Sequence, residues 1–354
     1  MPDLDKSNEL ALHVLDAIEN KHKLNIIGGS SKIFYGNQTQ GAPVQIEGHS
    51  GISNYQPGEL VITARAGTSL SEIESTLAEK NQSLIFEPPH FGKTATLGGT
   101  IASGIDGSSR PWTGAVKDAV LGVKIINGRG DILRFGGEVM KNVAGYDVSR
   151  LMVGSMGTLG ILLEVSLKVL PLSKKTITLM FKTTLEKAIQ RCSKLNNQCL
   201  PVSGMVYYDE QLYIRLSGNE SSVDSAQNYL GGEHHLDNDF WSSIRELTHP
   251  FFKQKGRLWR ISVPPATPPM NGLSGHWLID WGGAQRWLIS HLDADIIRGQ
   301  TEAVHGHATL FRNDNNDIDV FHPLTPAQKH LHEVVKNAFD PHRLFNPGRL
   351  YKYF

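Results

Sequence analysis

Glycine-rich loops that interrupt short apolar runs constrain this sequence more than any other feature. The run 24–27 favours a strand and ends directly in Gly28-Gly29-Ser30-Ser31-Lys32. Residues 95–104 are nearly all small, and glycine recurs every third residue within 154–160, just before another apolar run. Successive glycines let the backbone turn sharply and approach a neighbour closely. Tight turns, close helix packing and ligand loops all explain the pattern, and the sequence leaves these alternatives open.

The elements around these loops mix helices and strands without strict alternation. Strands are predicted at 60–64 and 159–169, a hairpin at 120–135, and a helix from 70 to 77 with Thr68 as its cap. Beyond Pro171 the chain has fewer glycines and carries five of its six tryptophans. We therefore predict an α+β fold with domains at 1–171 and 172–320, and a C-terminal segment, 321–354, that returns to the first domain.

Charge and composition narrow the class of partner. Lysine plus arginine equal aspartate plus glutamate at 35 each, so no net field draws the chain to nucleic acid. Two cysteines, Cys192 and Cys199, are too few for an iron–sulfur cluster, which needs about four thiolates. The polar first residues lack the apolar core of a signal peptide, and no run of ~18 apolar residues occurs. We expect a cytoplasmic protein that reaches the inner face of the membrane only through partners.

Three separated glycine-rich loops in one half of a chain indicate a long ligand that is contacted at several points. Backbone amides of the 28–32 loop could point into one concavity and bind phosphate oxygens. The GxGxxG spacing of Rossmann dinucleotide sites is absent. A dinucleotide such as FAD has the length that such a set of loops requires.

Several longer motifs resemble one family of flavoproteins. The first half resembles the FAD-binding domain of the vanillyl-alcohol oxidase and p-cresol methylhydroxylase (PCMH) superfamily, and in detail the FAD-binding subunits of bacterial glycolate oxidases. The resemblance covers nearly the whole chain and is densest from residue 24 to 171. The motifs that carry it are 27–32 (IGGSSK), 87–92 (EPPHFG), 95–99 (ATLGG), 118–122 (DAVLG), 139–151 (VMKNVAGYDVSRL), 339–341 (FDP) and 346–348 (NPG).

The resemblance implies a two-subdomain PCMH-type FAD-binding domain, a reduced substrate cap and a C-terminal segment that packs on the FAD domain. It implies non-covalent FAD, because the first loop has no histidine to bond the flavin. The sequence leaves open that Lys32 is a surface charge and that Asp118 is a solvated turn residue. The implied cofactor-binding residues are Gly28, Gly29, Ser30, Ser31, Lys32, Thr96, Leu97, Gly98, Gly99, Thr100, Trp112, Thr113, Gly114, Asp118, Gly157, Gly160, Ile161 and Asn346.

The catalytic residues are less clear from the sequence. Related dehydrogenases carry a histidine-rich motif that can hold a metal, whereas this chain has only His305-Gly306-His307, so we predict no metal. On alternate positions of a strand these two histidines would face the same side. Relatives also carry a glutamate where Met156 stands. His90 is the best single histidine candidate, with His305, His307 and Arg312 behind it. Arg257, Arg260 and Arg312 could each bind a carboxylate or form an ion pair.

Together these features predict an FAD-dependent 2-hydroxy-acid oxidoreductase component. The family implies a glycolate oxidase subunit that oxidises glycolate or a related acid, with a second flavoprotein subunit and an iron–sulfur subunit as partners. Two alternatives remain open. The chain could be a structural FAD-containing subunit with catalysis in the partner, or a self-sufficient flavin dehydrogenase for another hydroxy acid.

Overall fold

The computed structural model describes residues 4–137, 147–312 and 318–354, and these form two compact units. The first unit draws on 1–106, 114–171 and 323–354, and the second on 107–113 and 172–322. Segment 107–113 therefore packs with the second unit, although the sequence analysis included it in the first domain. Trp112 explains this placement, because its side chain packs against a core cluster of the second unit. Residues 139–146 of the 139–151 motif lie outside the described residues.

The helices of the described residues are short to medium in length. They are α1 (Ser7–Glu19), α2 (Leu70–Ala78), α3 (Leu97–Ser103), α4 (Arg110–Thr113), α5 (Val116–Ala119), α6 (Val148–Leu151), α7 (Leu185–Leu195), α8 (Glu220–Leu230), α9 (Phe240–Arg245), α10 (Ala294–Glu302) and α11 (Pro326–Phe339). None of these described helices is both long and apolar enough to cross a membrane.

The strands follow the predicted runs closely in the first unit. They are β1 (Leu24–Ile27), β2 (Ala42–Gln45), β3 (Ile52–Gln56), β4 (Val61–Arg65), β5 (Gln82–Leu84), β6 (Val120–Ile126), β7 (Ile132–Gly136), β8 (Ile161–Pro171), β9 (Lys175–Lys182), β10 (Val202–Tyr208), β11 (Gln211–Gly218), β12 (Glu233–His234), β13 (Arg257–Ser262), β14 (His276–Asp280), β15 (Gln285–Ser290) and β16 (His307–Arg312). The predicted α+β class is confirmed.

The first unit contains two sheets. Strands β1 and β2 form a parallel pair, and the larger sheet has the antiparallel order β3-β4-β8-β6-β7, with β5 also pairing β8. Strand β8 is buried along almost its whole length, because it is covered on both faces. The helix that follows β4 is capped by Ser69, whose Oγ accepts a hydrogen bond from the Glu72 amide at 3.1 Å. Thr68 is not the cap; its hydroxyl bonds Gly51 instead.

The second unit is built on an antiparallel sheet of order β12-β9-β11-β10-β14-β15-β13-β16. Helices α7 and α8 supply buried side chains to a core over β9, β10 and β11. Helix α10 supplies Ile297 to a second core, which is formed with alternate residues of β13 and β16. Alternate residues of these strands therefore lie in a core.

Candidate functional site

A cavity of about 520 Å³ opens in the first unit beside the loop that follows β1. This volume lies within the ordinary range of small-molecule sites, roughly 300–1,000 Å³. The lining comes from the chain segment around β1, from one face of α3 and from the C-terminal segment. The lining residues are 25–34, 38, 39, 96, 99, 102, 103, 156, 346 and 349.

The loop after β1 presents backbone amides that have no partner among the described residues. The N–H groups of Gly28, Gly29, Ser30 and Ser31 donate no hydrogen bond to any described residue. Ser30 has a φ of 56°, a left-handed conformation of the kind found in anion-binding nests. Unpaired amides along a cavity are available to donate hydrogen bonds to an anionic ligand.

The two glycines of this loop are required by the protein itself. A Cβ on Gly29 would lie 1.4 Å from the Thr94 carbonyl oxygen, and one on Gly28 would lie 2.7 Å from Thr96 Oγ1. The Thr94 hydroxyl also donates a hydrogen bond to the Gly29 carbonyl. The glycines therefore let the loop pack against the start of α3, and this packing leaves the loop amides beside the cavity.

The charge of the cavity is positive. Lys32 and Arg349 line it, and no aspartate or glutamate does so among the described residues. Lys32 is only 8% exposed, and its Nζ donates to the His90 carbonyl at 3.4 Å. Burial lowers the pKa of Arg349, whose guanidinium donates to the carbonyls of Asn37 and Tyr35 at 2.9 and 2.6 Å. Two cations beside a row of free amides suit an anionic group such as a diphosphate.

One face of α3 lies along the cavity and carries only small side chains. The N-cap Thr96 accepts from the Gly99 amide at 3.3 Å, and Gly99, Ala102 and Ser103 follow on the cavity side. A Cβ on Gly99 would approach only Thr96 Oγ1, at 3.2 Å. Gly98 faces the other way, since its Cβ would lie 2.8 Å from Ala66 Cβ. Leu97 and Thr100 are also buried away from the cavity.

Asn346 joins the C-terminal segment to the cavity wall. Its side-chain oxygen accepts from the Ile26 amide at 2.7 Å, and its side-chain nitrogen donates to the Met156 carbonyl at 2.7 Å. The side-chain amide thus connects β1, the 154–160 loop and the C-terminal segment. Asn346 itself has a φ of 41°, a strained backbone conformation that asparagine tolerates better than most residues.

Other predicted cofactor residues lie outside this cavity. A Cβ on Gly157 would lie 2.6 Å from Asn346 Nδ2, and one on Gly160 would lie 2.7 Å from the Ile126 carbonyl, so both glycines serve packing. Ile161 is a fully buried core residue of β8. These positions shape the loop behind the cavity, and their direct contact with a cofactor stays a prediction.

The segment 112–118 is divided between the two units. Trp112 and Thr113 belong to α4 of the second unit, whereas Gly114 and Asp118 belong to the first. Asp118 accepts from the Ala115 amide at 3.1 Å and lies 3.9 Å from Arg150, so it caps α5 and takes part in an exposed ion pair. The proposed role of these four residues at the cofactor also stays a prediction.

The catalytic candidates are divided between the two units, with His90 in the first and His305, His307 and Arg312 in the second. His90 contacts Glu74 through Nε2 at 2.9 Å. Strand β16 begins at His307, and exposed His305 precedes it with a φ of 58°, so the expectation that both histidines share one strand face is wrong. Arg312 donates to the Phe252 carbonyl at 2.6 Å. No group of three or more metal-binding side chains occurs within the described part of the chain.

Several lining residues were missed by the sequence analysis. Asn25, Ile26 and Ile27 are in β1 itself, and Ile33 and Phe34 extend the loop beyond the glycine motif. Arg349 directly follows the Asn346-Pro347-Gly348 motif, so its proximity to Asn346 was the available signal. Met156 was noted as a replacement for glutamate and proves to line the cavity with a φ of 54°.

Comparison with known proteins identifies the family. A sequence model of the FAD binding domain matches residues 4–136. The glycolate oxidase subunit GlcE of Escherichia coli (strain K12) is 47% identical over 347 residues, which cover 98% of each chain. The chain belongs to the GlcE family of glycolate oxidase subunits. It is a component of an FAD-dependent oxidoreductase, and the predicted family and cofactor are confirmed.

More distant relatives match parts of the chain. The glycolate oxidase subunit GlcD of Bacillus subtilis (strain 168) is 34% identical over 137 residues, 38% of this chain and 29% of that protein. A D-lactate dehydrogenase of Anaerostipes hadrus is 32% identical over 176 residues, 49% of this chain and 37% of that protein. A solved alkyldihydroxyacetonephosphate synthase matches with a TM-score of 0.68 at 15% identity, covering 96% of this chain and 74% of that one, which shows the fold alone.

The cavity fits FAD on three structural observations. The free amides of the 28–31 loop and the cations Lys32 and Arg349 suit the diphosphate of the cofactor. The small side chains on α3 leave room for a long ligand to lie against the helix. The open space beside Gly99 would be filled by any larger residue there.

Proposed function

We propose that this chain is the FAD-binding subunit of a glycolate oxidase complex, which oxidises glycolate or a related 2-hydroxy acid to the 2-oxo acid. The observation that carries the proposal is the relation to the glycolate oxidase subunit GlcE along 98% of both chains. A relation of that extent includes both structural units and the C-terminal segment, and it therefore exceeds a shared FAD domain.

The residues of the first unit would hold the cofactor by backbone and charge. Amides of Gly28 to Ser31 donate to phosphate oxygens, Lys32 and Arg349 balance their charge, and Asn346 fixes the wall between β1 and Met156. When bound, FAD supplies the hydride acceptor for oxidation of the hydroxy acid at C2. The FAD is expected to be dissociable, because no histidine or cysteine lines the described cavity.

The proposed function requires partner subunits that carry electrons away from the flavin. Cys192 is buried with its pKa raised to about 12, and Cys199 is exposed. Two such thiols cannot hold an iron–sulfur cluster, so electrons are expected to leave through a separate iron–sulfur subunit. A second flavoprotein subunit would share the chemistry, and any contact with the inner face of the membrane would be made by partners of a cytoplasmic complex.

A second candidate role is that of a cofactor-bearing subunit whose catalysis depends on the partner flavoprotein. The placement of the catalytic candidates favours it. His305 is exposed outside β16, and the Arg312 guanidinium is bonded to a backbone carbonyl. A self-sufficient dehydrogenase is the least supported reading for the same reason.

Anaerobic visible spectroscopy of the purified chain tests these roles. Glycolate is added to the FAD-loaded chain alone and then with its partner subunits, and acetate, which lacks the hydroxyl group, serves as the control. Bleaching by glycolate alone would assign substrate oxidation to this chain. Bleaching only with partners would support the cofactor-bearing role. A chain that neither carries FAD nor takes it up on reconstitution would refute the proposal.

A further inference from the structure

Residues 90–92 of the first unit adopt a backbone conformation that most side chains avoid. Phe91 has a φ of 50° and Gly92 has a φ of 131°. Glycine tolerates positive φ, but the left-handed region is unfavourable for an aromatic residue such as phenylalanine. Conformations of this kind persist only where the surrounding structure fixes them, and they are common at ligand-binding sites. Contacts from outside the segment must therefore hold it in place.

Glu74 of α2 supplies one such contact. Its Oε2 lies 2.9 Å from Nε2 of His90. An ionised carboxylate only accepts hydrogen bonds, so the His90 Nε2 carries the hydrogen and donates it. The exposed fractions of the His90 and Glu74 side chains are 18% and 36%, so water screens this pair less than it would a fully exposed one. Helix α2 itself is anchored in the core by Leu70, Ile73 and Leu77. The bond therefore ties segment 90–92 to a helix that the core holds in place.

Segment 90–92 in turn holds Lys32 at the wall of the FAD cavity. The Lys32 Nζ donates to the His90 carbonyl at 3.4 Å and lies 5.8 Å from the centre of the Phe91 ring. Lys32 is one of the residues that line the cavity. Phe91 also packs edge-on against Phe34, a second lining residue, with the ring centres 5.4 Å apart. The backbone and the ring of the segment thus position the ammonium group beside the space for the cofactor.

A lysine side chain gains from such positioning because its stem is flexible. An unrestrained ammonium group loses rotamer freedom when it is immobilised on a ligand. A lysine that a carbonyl and a ring already hold has lost part of this freedom before the ligand arrives, so less of the binding free energy is spent on ordering it. Glu74 does not line the cavity. It can therefore act on FAD through His90 and Lys32, or through the electric field of its charge.

These two routes have opposite signs. The field of the Glu74 carboxylate repels an anionic diphosphate, so loss of the charge alone should tighten FAD binding slightly. Loss of the hydrogen bond to His90 should weaken FAD binding, because segment 90–92 and Lys32 are then held less firmly. The sign of the change in affinity therefore separates positioning from a simple effect of charge.

We propose that Glu74 is a positioning residue for FAD: it fixes segment 90–92 through His90, and this segment holds Lys32 beside the diphosphate. The inference rests on the proposed cofactor position, in which Lys32 balances the charge of the phosphates. It goes beyond that position because it assigns a role to a carboxylate of α2 that lies outside the cavity.

Fluorescence titration of the FAD-free full chain with FAD, at several salt concentrations, tests the inference. Lys32→Met should weaken FAD binding about 10- to 100-fold and reduce its salt dependence, because a charge-assisted contact is lost. Glu74→Ala should weaken FAD binding about 3- to 10-fold and reduce the salt dependence in the same sense. In the Lys32→Met background, Glu74→Ala should have less than about a twofold further effect, because two changes on one route are not additive.

Two variants serve as controls. Glu74→Gln keeps an acceptor for His90 and should restore FAD affinity to at least within about twofold of the wild type. Glu72→Ala removes the same charge from the same helix, but its side chain points away from that of Glu74, since two residues turn a helix by about 200°. It should therefore not weaken FAD binding. His90→Ala keeps the backbone carbonyl and removes the ring, and it carries the test if Glu74→Ala does not fold.

Unchanged or tighter FAD binding in both Glu74→Ala and His90→Ala would overturn the inference. So would an equal weakening by Glu74→Ala in the wild-type and Lys32→Met backgrounds, because Glu74 would then act by another route. Failure of the proposed cofactor position is distinguishable. Lys32→Met would then leave the FAD affinity and its salt dependence unchanged, which refutes the position and the inference together. Weakening by Lys32→Met without weakening by Glu74→Ala refutes the inference alone.

Discussion

Replacing Lys336 with methionine tests whether a buried ion pair holds the C-terminal segment against the FAD cavity. Lys336 is the only described residue of α11 that is buried, at 2% exposure. Its Nζ donates to the Thr158 carbonyl at 2.6 Å, to Asp340 Oδ2 at 2.7 Å and to the Phe345 carbonyl at 3.2 Å. Asp340 also accepts from the amides of Leu344 and Phe345, both at 2.9 Å.

The expected loss follows from what methionine leaves behind. It fills the space of the lysine stem but leaves the Thr158 and Phe345 carbonyls without this donor and Asp340 without its counter-charge. Breaking one side of a buried ion pair costs about 3–5 kcal/mol of unfolding free energy. Asn346 directly follows Phe345 and bonds both Ile26 and Met156 in the cavity wall. A looser segment should therefore also weaken FAD binding, by about tenfold if ~1.4 kcal/mol of preorganisation is lost.

Urea titration followed by the fluorescence of released FAD measures both effects in the unit that carries the cavity. Lys329→Met is the matched control, since it makes the same change on the same helix where the lysine is exposed and lies 4.1 Å from the Tyr353 ring. The control substitution should lower the unfolding free energy by less than about 1 kcal/mol. If Lys336→Met releases FAD at the same urea concentration as the control, the buried pair does not hold the segment and the reasoning is refuted.

Three further predictions concern the first unit. Gly99→Ala should weaken FAD binding about tenfold in a fluorescence titration, although alanine stabilises the helix itself by up to ~1 kcal/mol. Gly98→Ala should instead lower the unfolding free energy by about 1–3 kcal/mol, because its Cβ would meet Ala66. Burial lowers the pKa of His49 below 6.5, so the neutral imidazole stabilises the fold above pH 6.5 and this contribution is lost as the pH falls below 6.5. The unfolding free energy should therefore change less between pH 5 and 7 in His49→Gln than in the wild type. Arg349→Lys should lower the stability of the 33–37 loop by about 1–3 kcal/mol, because the guanidinium bonds to backbone carbonyls of that loop are lost. The loss should appear as faster proteolysis within 33–37.

The strands of the first unit were predictable because local sequence and environment agree there. The run 24–27 is β1 residue for residue, and the hairpin of β6 and β7 follows from two β-favouring runs around a glycine-containing turn. The cap of α2 was misplaced by one residue, since Thr68 and Ser69 are both good caps. Tertiary contact decides between them, because the Thr68 hydroxyl is used by Gly51.

The positions of the cofactor loops in the chain could be predicted from the sequence, whereas the role of each glycine in them could not. Gly98 and Gly99 are adjacent residues of the same type, yet Gly98 packs on Ala66 and Gly99 faces the cavity. A helix turns by about 100° per residue, so neighbours necessarily face different surroundings, and the sequence does not say which surroundings are protein. Arg349 was missed for a related reason. Its partners are backbone carbonyls of the 33–37 loop, more than 300 residues away along the chain.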